Sequence, residues 1–304
     1  QTNGKVVATI DGERSQTWSE FAHKIACFAN GLQQLGIGSD GCVAMLALNS
    51  DRYFEFMFAT PWAGGVFQPV NTRLAGPEVV YWLNDSEASV LIVDRNFVPM
   101  VAEIREQLQH VKHFIFVDDG DVPEGYIAYA DVVDNEPVED ANRQGDDVAG
   151  LFYTGGTTGA AKGAMLSHNN LIANMMQLRA RCLLVIEDRV ENIVAPLPLY
   201  HSYAFLLHCL VMPYAGNHNI LITNPRDLDS LVGLLRKTVV TGIVAINTLY
   251  LALLRHPDIA AVDFSQLKFS GAGGMAMTTS VAEEWERVTA CEIIQGYGLT
   301  ECSP

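Results

Sequence analysis

The chain has 304 residues, of which 49% are hydrophobic, 9% aromatic and 18% charged, enough to bury one or two substantial cores. Its mean hydropathy is slightly positive, which excludes disorder as the dominant state. Nineteen Lys and Arg against 35 Asp and Glu give a formal net charge of −16, so the cationic footprint that nucleic-acid binding needs is missing. The acidity is local: Asp118 to Asp147 holds eleven acidic residues and one basic one, Arg143. That segment reads as a solvated surface stretch, and it leaves a mildly acidic remainder that can hold an anionic ligand with local donors.

The first elements read as a hairpin, Lys5 to Ile10 and Arg14 to Thr17 around an Asp11-Gly12 turn. Thr17-Trp18-Ser19-Glu20 is a capping-box pattern for a helix burying Phe21, Ile25, Phe28, Ala29 and Leu32 and stopping at Gly36. Apolar runs at Cys42–Leu48, Val66–Val70, Ser89–Val93 and His113–Val117 then alternate with helical pieces at Arg52–Ala63, Pro77–Leu83 and Phe97–Gln109. After the acidic stretch come Asp147–Thr154, a glycine-rich loop, and a helix near 169–184 that Ser167 can cap. Further runs are Asn192–Leu197, Asn219–Ile222, Gly242–Ile246 and Leu267–Ser270, with helices at Asp227–Thr238 and Thr279–Thr289. Strands alternating with helices predict an α/β protein: two adjacent, mostly parallel sheets with helices on their faces. The composition shift divides the chain into residues 1–147 and residues 148–304.

Six cysteines (Cys27, Cys42, Cys182, Cys209, Cys291 and Cys302) form no CxxC pair and match no zinc or disulfide scaffold, so reduced thiols in a cytoplasmic protein are expected. The most apolar stretch, Tyr203 to Ala215, is too short to span a bilayer and contains His208 and Pro213. Peripheral contact with the inner membrane stays open.

The strongest chemical signal is Tyr153-Thr154-Gly155-Gly156-Thr157-Thr158-Gly159-Ala160-Ala161-Lys162-Gly163. Glycines allow close backbone approach, amides and hydroxyls donate hydrogen bonds, and lysine supplies charge, so the loop suits phosphates. It is no Walker A loop, because Ala161 precedes the lysine and Gly163 follows it. The structural alternative is an ordinary flexible surface loop.

This loop resembles the signature of the adenylate-forming superfamily, which includes acyl- and aryl-CoA synthetases, peptide-synthetase adenylation domains and luciferases. Three further segments match in order: Pro196-Leu197-Pro198-Leu199-Tyr200-His201, Ser270-Gly271-Ala272-Gly273-Gly274, and Gln295-Gly296-Tyr297-Gly298-Leu299-Thr300-Glu301. Leu221-Ile222-Thr223-Asn224-Pro225-Arg226-Asp227 brings the resemblance nearest to bacterial long-chain fatty-acid–CoA ligases. Gly155 and Ala161 stand where much of the superfamily has Ser and Pro, departures that the fatty-acid subgroup tolerates.

The resemblance implies that a carboxylic acid and ATP form an acyl-adenylate and pyrophosphate, and that the acyl group then passes to coenzyme A. By similarity, Thr154, Gly155, Gly156, Thr157, Thr158, Gly159 and Lys162 hold the β- and γ-phosphates. Thr154 and Glu301 help bind Mg²⁺, and Thr300 contacts the α-phosphate. Tyr297 stacks on adenine, within walls formed by Gly271, Ala272, Gly273, Gln295, Gly296 and Gly298. His201 sits on the substrate side with Gly273, and Phe205 takes the place of an aromatic gate. Each residue has a bland rival: a solvated Glu301, a turn tyrosine at Tyr297, a structural His201, a core Phe205. Aryl acids, loading of a carrier protein, and a module without turnover remain alternatives. The partners implied are a fatty acid, ATP and CoA, with a homodimer compatible. Family members continue past the Tyr-Gly-x-Thr-Glu motif into a small C-terminal domain, so the chain is expected to be the N-terminal portion of a larger ligase.

Overall fold

Period-two burial organises the first sheet. In β3 (Cys42–Leu46), Val43 and Met45 face one apolar cluster, while Cys42, Ala44 and Leu46 face another on the opposite side. A strand buried on both faces belongs inside a parallel sheet covered by helices. The computed structural model, which describes residues 4–39, 41–155, 160–182 and 191–304, shows that arrangement twice.

The chain opens with β1 (Val7–Asp11) and β2 (Arg14–Thr17), followed by α1 (Trp18–Gln34). The capping box is formed: Glu20 N donates to Thr17 Oγ1 at 3.3 Å, and Thr17 N donates to the Glu20 carboxylate at 2.8 Å. After β3 come α2 (Asp51–Trp62), β4 (Val66–Pro69), α3 (Gly76–Asp85), β5 (Val90–Val93), α4 (Val98–Ile104) and β6 (His113–Phe116). Next are β7 (Ile127–Ala128), α5 (Tyr129–Val133), β8 (Val148–Thr154), β9 (Lys162–Ser167) and α6 (His168–Cys182). Ser167 caps α6, its Oγ accepting from Asn170 N at 3.2 Å. Beyond β10 (Asn192–Ala195), α7 (Ser202–Ala204), a π-helical stretch (Phe205–Val211) and α8 (Met212–Tyr214) run on from one another. The last elements are β11 (His218–Leu221), α9 (Leu228–Leu235), β12 (Gly242–Ala245), α10 (Asn247–Arg255), β13 (Phe269–Ala272), α11 (Thr279–Thr289) and β14 (Ile293–Gln295).

One sheet has the order β7-β6-β5-β3-β4-β8-β9 and the other β14-β13-β12-β10-β11-β1-β2. All pairings are parallel except the terminal hairpins β8–β9 and β1–β2. These hairpins exchange strands across the composition boundary at residue 147. The N-terminal hairpin completes the second sheet by pairing β1 with β11, and β8–β9 complete the first by pairing β8 with β4. The composition shift therefore marks a surface connection, and each sheet borrows its edge from the other half. The acidic stretch is also more structured than predicted. Tyr129 and Val132 of α5 are buried in the core beside α1, and Asp118 accepts from Arg95 Nε at 3.0 Å. Sequence reading missed β9 because only Leu166 of its six residues is buried, leaving no alternation to detect.

The main core lies between the sheets, where α1 and α2 pack with Phe67, Ile92 and Ile115 of one sheet and Ala195 and Leu221 of the other. Two polar devices cross this junction. Arg14 of the β1–β2 hairpin grips Asp51 at the start of α2 through both carboxylate oxygens, at 2.9 and 2.8 Å. Asn49, buried after β3, donates to the carbonyls of Leu197 (2.8 Å) and Ile222 (3.2 Å) and accepts from Leu199 N (2.8 Å). Among the described residues no helix is long and apolar enough to cross a membrane.

Replacing Asn49 with Ala would strand three buried backbone groups. The expected loss is about 3 kcal/mol of unfolding free energy, read from the urea midpoint. A change below about 0.5 kcal/mol would show that water replaces the side chain without penalty.

Candidate active site

Parallel strands end on the same side, and ligands of open α/β sheets bind outside those carboxyl ends. Each of the four sequence motifs leaves such an end. Thr154 closes β8, Pro196 follows β10, Gly273 follows β13 and Gly296 follows β14. Because β8 belongs to one sheet and the other three strands to the second, the motifs meet across the junction. They line a cleft of about 1100 Å³ that includes Thr154, Gly155 and Lys162, then His201, Ser202 and Tyr203, then Gly274 and Gly296 to Glu301.

Two hydroxyl contacts hold the motifs in register. Thr154 Oγ1 donates to Glu301 Oε1 at 2.8 Å, joining residues 147 positions apart. Ser202 Oγ and Thr300 Oγ1 lie 2.7 Å apart, joining the second motif to the last. Glu301 is exposed, and its carboxyl is held below the usual range by its own backbone N–H and then by the Thr154 hydroxyl. It is a charged carboxylate facing solvent. Lys162 pairs with Thr154 in the β8–β9 ladder, so its exposed side chain stands beside the same mouth.

His201 stands in the concave wall, open to solvent on one side and surrounded by protein on the others. That desolvation lowers its imidazole below the ordinary value and favours the neutral ring. Its Nδ1 accepts from Tyr203 N at 3.4 Å, a geometry that leaves the proton on Nε2 as a donor. Tyr297 between its two glycines is 92% exposed, an aromatic face free to stack on a planar ligand.

The structure redistributes the expected adenine wall. Gly271, Ala272 and Gly273 are buried, and Gly274 is the residue of that segment that reaches the cleft. Gly271 O accepts from the buried Tyr250 hydroxyl at 2.8 Å. A Cβ at Gly273 would come within 2.8 Å of the Tyr203 ring, so this glycine lets the ring lie against the backbone. Gln295 is paired in β14 beside Ala272 and does not line the cleft, whereas Gly296 and Gly298 do. Gly156, Thr157, Thr158 and Gly159 lie outside the described residues.

Phe205, for which a gate and a core role were both open, lies in the core. It is 2% exposed and packs against Phe67 and Phe152, with ring centroids 5.1 and 5.4 Å away, inside the core between the sheets. Leu178, Leu206 and Leu299 are the aliphatic leucines that line the cleft. Sequence reading missed Leu178 and Leu206 and also Asn174, Gln177 and Arg181, which share the cleft face of α6. Their i, i+3, i+4, i+7 spacing was a usable signal, hidden because α6 has polar residues on both its cleft and solvent faces. Phe205→Ala is expected to cost about 3–5 kcal/mol of stability in chemical denaturation; a loss under about 1 kcal/mol would show that the cluster does not depend on this ring.

Comparison with known proteins agrees with the geometry. A family model described as AMP-binding enzyme matches residues 1–304. The long-chain-fatty-acid–CoA ligase of Salmonella typhimurium is 34% identical over 317 residues, covering 95% of this chain and 56% of that protein. The anthranilate CoA ligase AuaEII, solved in complex with anthranoyl-AMP, superposes with a TM-score of 0.91 at 25% identity, covering 98% of this chain and 57% of that one. The N-terminal domain of FACL13 from Mycobacterium tuberculosis superposes with a TM-score of 0.87 at 24% identity, covering 98% and 73%. The chain thus spans about half the length of the curated relative, and its two sheets match the N-terminal part of the adenylate-forming fold. With its four motifs gathered on one cleft and the family model matching from end to end, the chain belongs to the AMP-binding enzyme family.

Proposed function

We propose that this chain carries the nucleotide and acid sites of an AMP-forming fatty-acid–CoA ligase. The observation that carries the reading is the Thr154–Glu301 contact, which places the phosphate-type loop and the Tyr-Gly-x-Thr-Glu motif at one mouth. The 34% identity to a long-chain-fatty-acid–CoA ligase and the cleft leucines Leu178, Leu206 and Leu299 support an alkyl acid.

In the first step a carboxylate oxygen of the acid attacks the α-phosphorus of ATP, and the bond from that phosphorus to the bridging oxygen breaks. Acyl-adenylate forms and pyrophosphate leaves. Several anionic oxygens crowd together, so electrostatic positioning supplies most of the catalysis. Lys162 faces the outer phosphates. Thr300, held by Ser202, meets the α-phosphate, and Tyr297 stacks on the base. The neutral His201 directs its Nε2 proton toward the acid's carboxylate. Thr154 and Glu301 offer hard oxygens for Mg²⁺, which when bound would neutralise phosphate charge. Mg²⁺ commonly takes only one or two protein oxygens, so this pair would suffice to hold it.

The second step needs a thiol to reach the acyl carbon and AMP to leave. A second cavity of about 530 Å³ lies along the same motif, lined by Pro198 and Tyr200, with Arg73 and Arg226 among its walls. Two guanidiniums beside a partly apolar channel suit the phosphates and pantetheine arm of CoA. Approach from there would deliver the thiol past the Pro198–His201 segment.

Acid-dependent pyrophosphate release tests the first step. Lys162→Ala should lower kcat/KM for ATP by about 10- to 100-fold, the loss of a charge-assisted contact. Glu301→Gln should impair the Mg²⁺-dependent rate while leaving the KM for the acid near wild type. Unchanged ATP kinetics in both variants would overturn the site assignment. For the second step, Arg73→Ala with Arg226→Ala should raise the KM for CoA about tenfold or more without changing pyrophosphate release in the absence of CoA. An unchanged KM for CoA would remove the second cavity from the reaction.

A further inference from the structure

The proposed reaction uses Thr154 and Lys162 of the glycine-rich motif and gives Tyr153, Ala161 and Gly163 no task. Tyr153 and Ala161 meet at one helix, α3, and Gly163 packs under the Tyr153 ring. Tyr153 stacks on Trp82 with centroids 4.7 Å apart and planes 19° from parallel, and its hydroxyl donates to Asp85 Oδ2 at 2.7 Å. A Cβ at Gly163, opposite Tyr153 in the β8–β9 ladder, would stand 3.1 Å from the Tyr153 ring, so glycine there gives the ring room to cross the hairpin. On the other arm, the Tyr81 hydroxyl donates to Ala161 O at 3.0 Å, and Ala161 packs on the apolar cluster that contains Val79, Trp82 and Leu83. One turn of α3 therefore grips the hairpin at Tyr153, next to Thr154, and at Ala161, next to Lys162.

The helix is itself fixed from below. Gln68, fully buried in β4, donates through Nε2 to Trp82 O at 3.3 Å, while its Oε1 accepts from Ser86 Oγ at 2.6 Å. Rigid support behind a binding group is what keeps its donors aimed, because a bound triphosphate then need not spend interaction energy ordering them. Tyr81 lines the cleft and is 39% exposed, so its hydroxyl adds little to folding and much to where the Ala161 backbone sits.

We infer that α3, through Tyr81 and the Tyr153–Asp85 pair, is a positioning clamp that presets the hairpin arms for the β- and γ-phosphates of ATP. The inference rests on the adenylate-forming reading above. It makes Tyr81 and Asp85 positioning residues for the first half-reaction, with no part in holding the adenylate product.

The test compares two ligands by calorimetry: ATP, and a non-hydrolysable alkyl acyl-adenylate mimic that lacks the β- and γ-phosphates. Tyr81→Phe removes one hydroxyl and keeps the ring. It should weaken ATP binding by about three- to tenfold while leaving the mimic within twofold of wild type. Asp85→Ala should behave in the same way, and Asp85→Asn, which keeps an acceptor for the Tyr153 hydroxyl, should restore ATP affinity. Equal losses for both ligands would show a general structural role and overturn the clamp, as would unchanged ATP affinity in Tyr81→Phe and Asp85→Ala. If the wild-type chain bound neither ligand, the adenylate reading itself would fail.

Discussion

Everything chemical in this molecule depends on two sheets ending at the same place. Parallel pairing sends the carboxyl ends of β10, β13 and β14 to one side of one sheet, and β8 brings the carboxyl end of the other to meet them. The junction must be held with an accuracy that apolar packing alone does not provide, because hydrophobic contact is non-directional. Directional groups perform that task. Asn49 fastens the segment after β10 to the end of β3, Arg14 ties the terminal hairpin to α2, and the Thr154–Glu301 and Ser202–Thr300 contacts close the cleft. Buried or paired polar groups of this kind specify one arrangement of sheets among the many that would bury similar area.

The strongly acidic chain and the anionic ligand it is proposed to bind are reconciled by position. Part of the acidic excess is neutralised on the spot, with Asp118 and Asp119 engaged by Arg95 and Arg52. The cleft mouth presents Lys162, the Thr154 and Thr300 hydroxyls and the exposed Gly155, and α3 contacts both arms of that hairpin. Desolvation lowers the histidines near the active segment: His201 shifts below its ordinary value, and His208, fully buried against Asn219, is pushed down to about 4. In the proposed reaction a neutral His201 would donate a hydrogen bond without binding a carboxylate so tightly that it resists reaction.

The sequence alone determined the α/β class, the capping box at Thr17 and Glu20, and the identity of the four motifs, because these follow from local periodicity, short-range hydrogen bonding and residue chemistry at fixed spacing. It also named Thr154, Lys162, His201, Tyr297, Thr300 and Glu301, all of which the cleft brings together. Tertiary structure decided what distance in the chain conceals. Which sheet receives β1 and which receives β8 depends on pairings between residues far apart, so a shift in composition near residue 147 could not reveal it. Phe205 went to the core because Phe67 and Phe152, 138 and 53 positions earlier in the numbering, converge on it. Gly273 owes its place to the Tyr203 ring, and Gly163 to the ring of Tyr153. In each case the controlling contact is steric and long-range, and it exists only once the sheets have closed on one another.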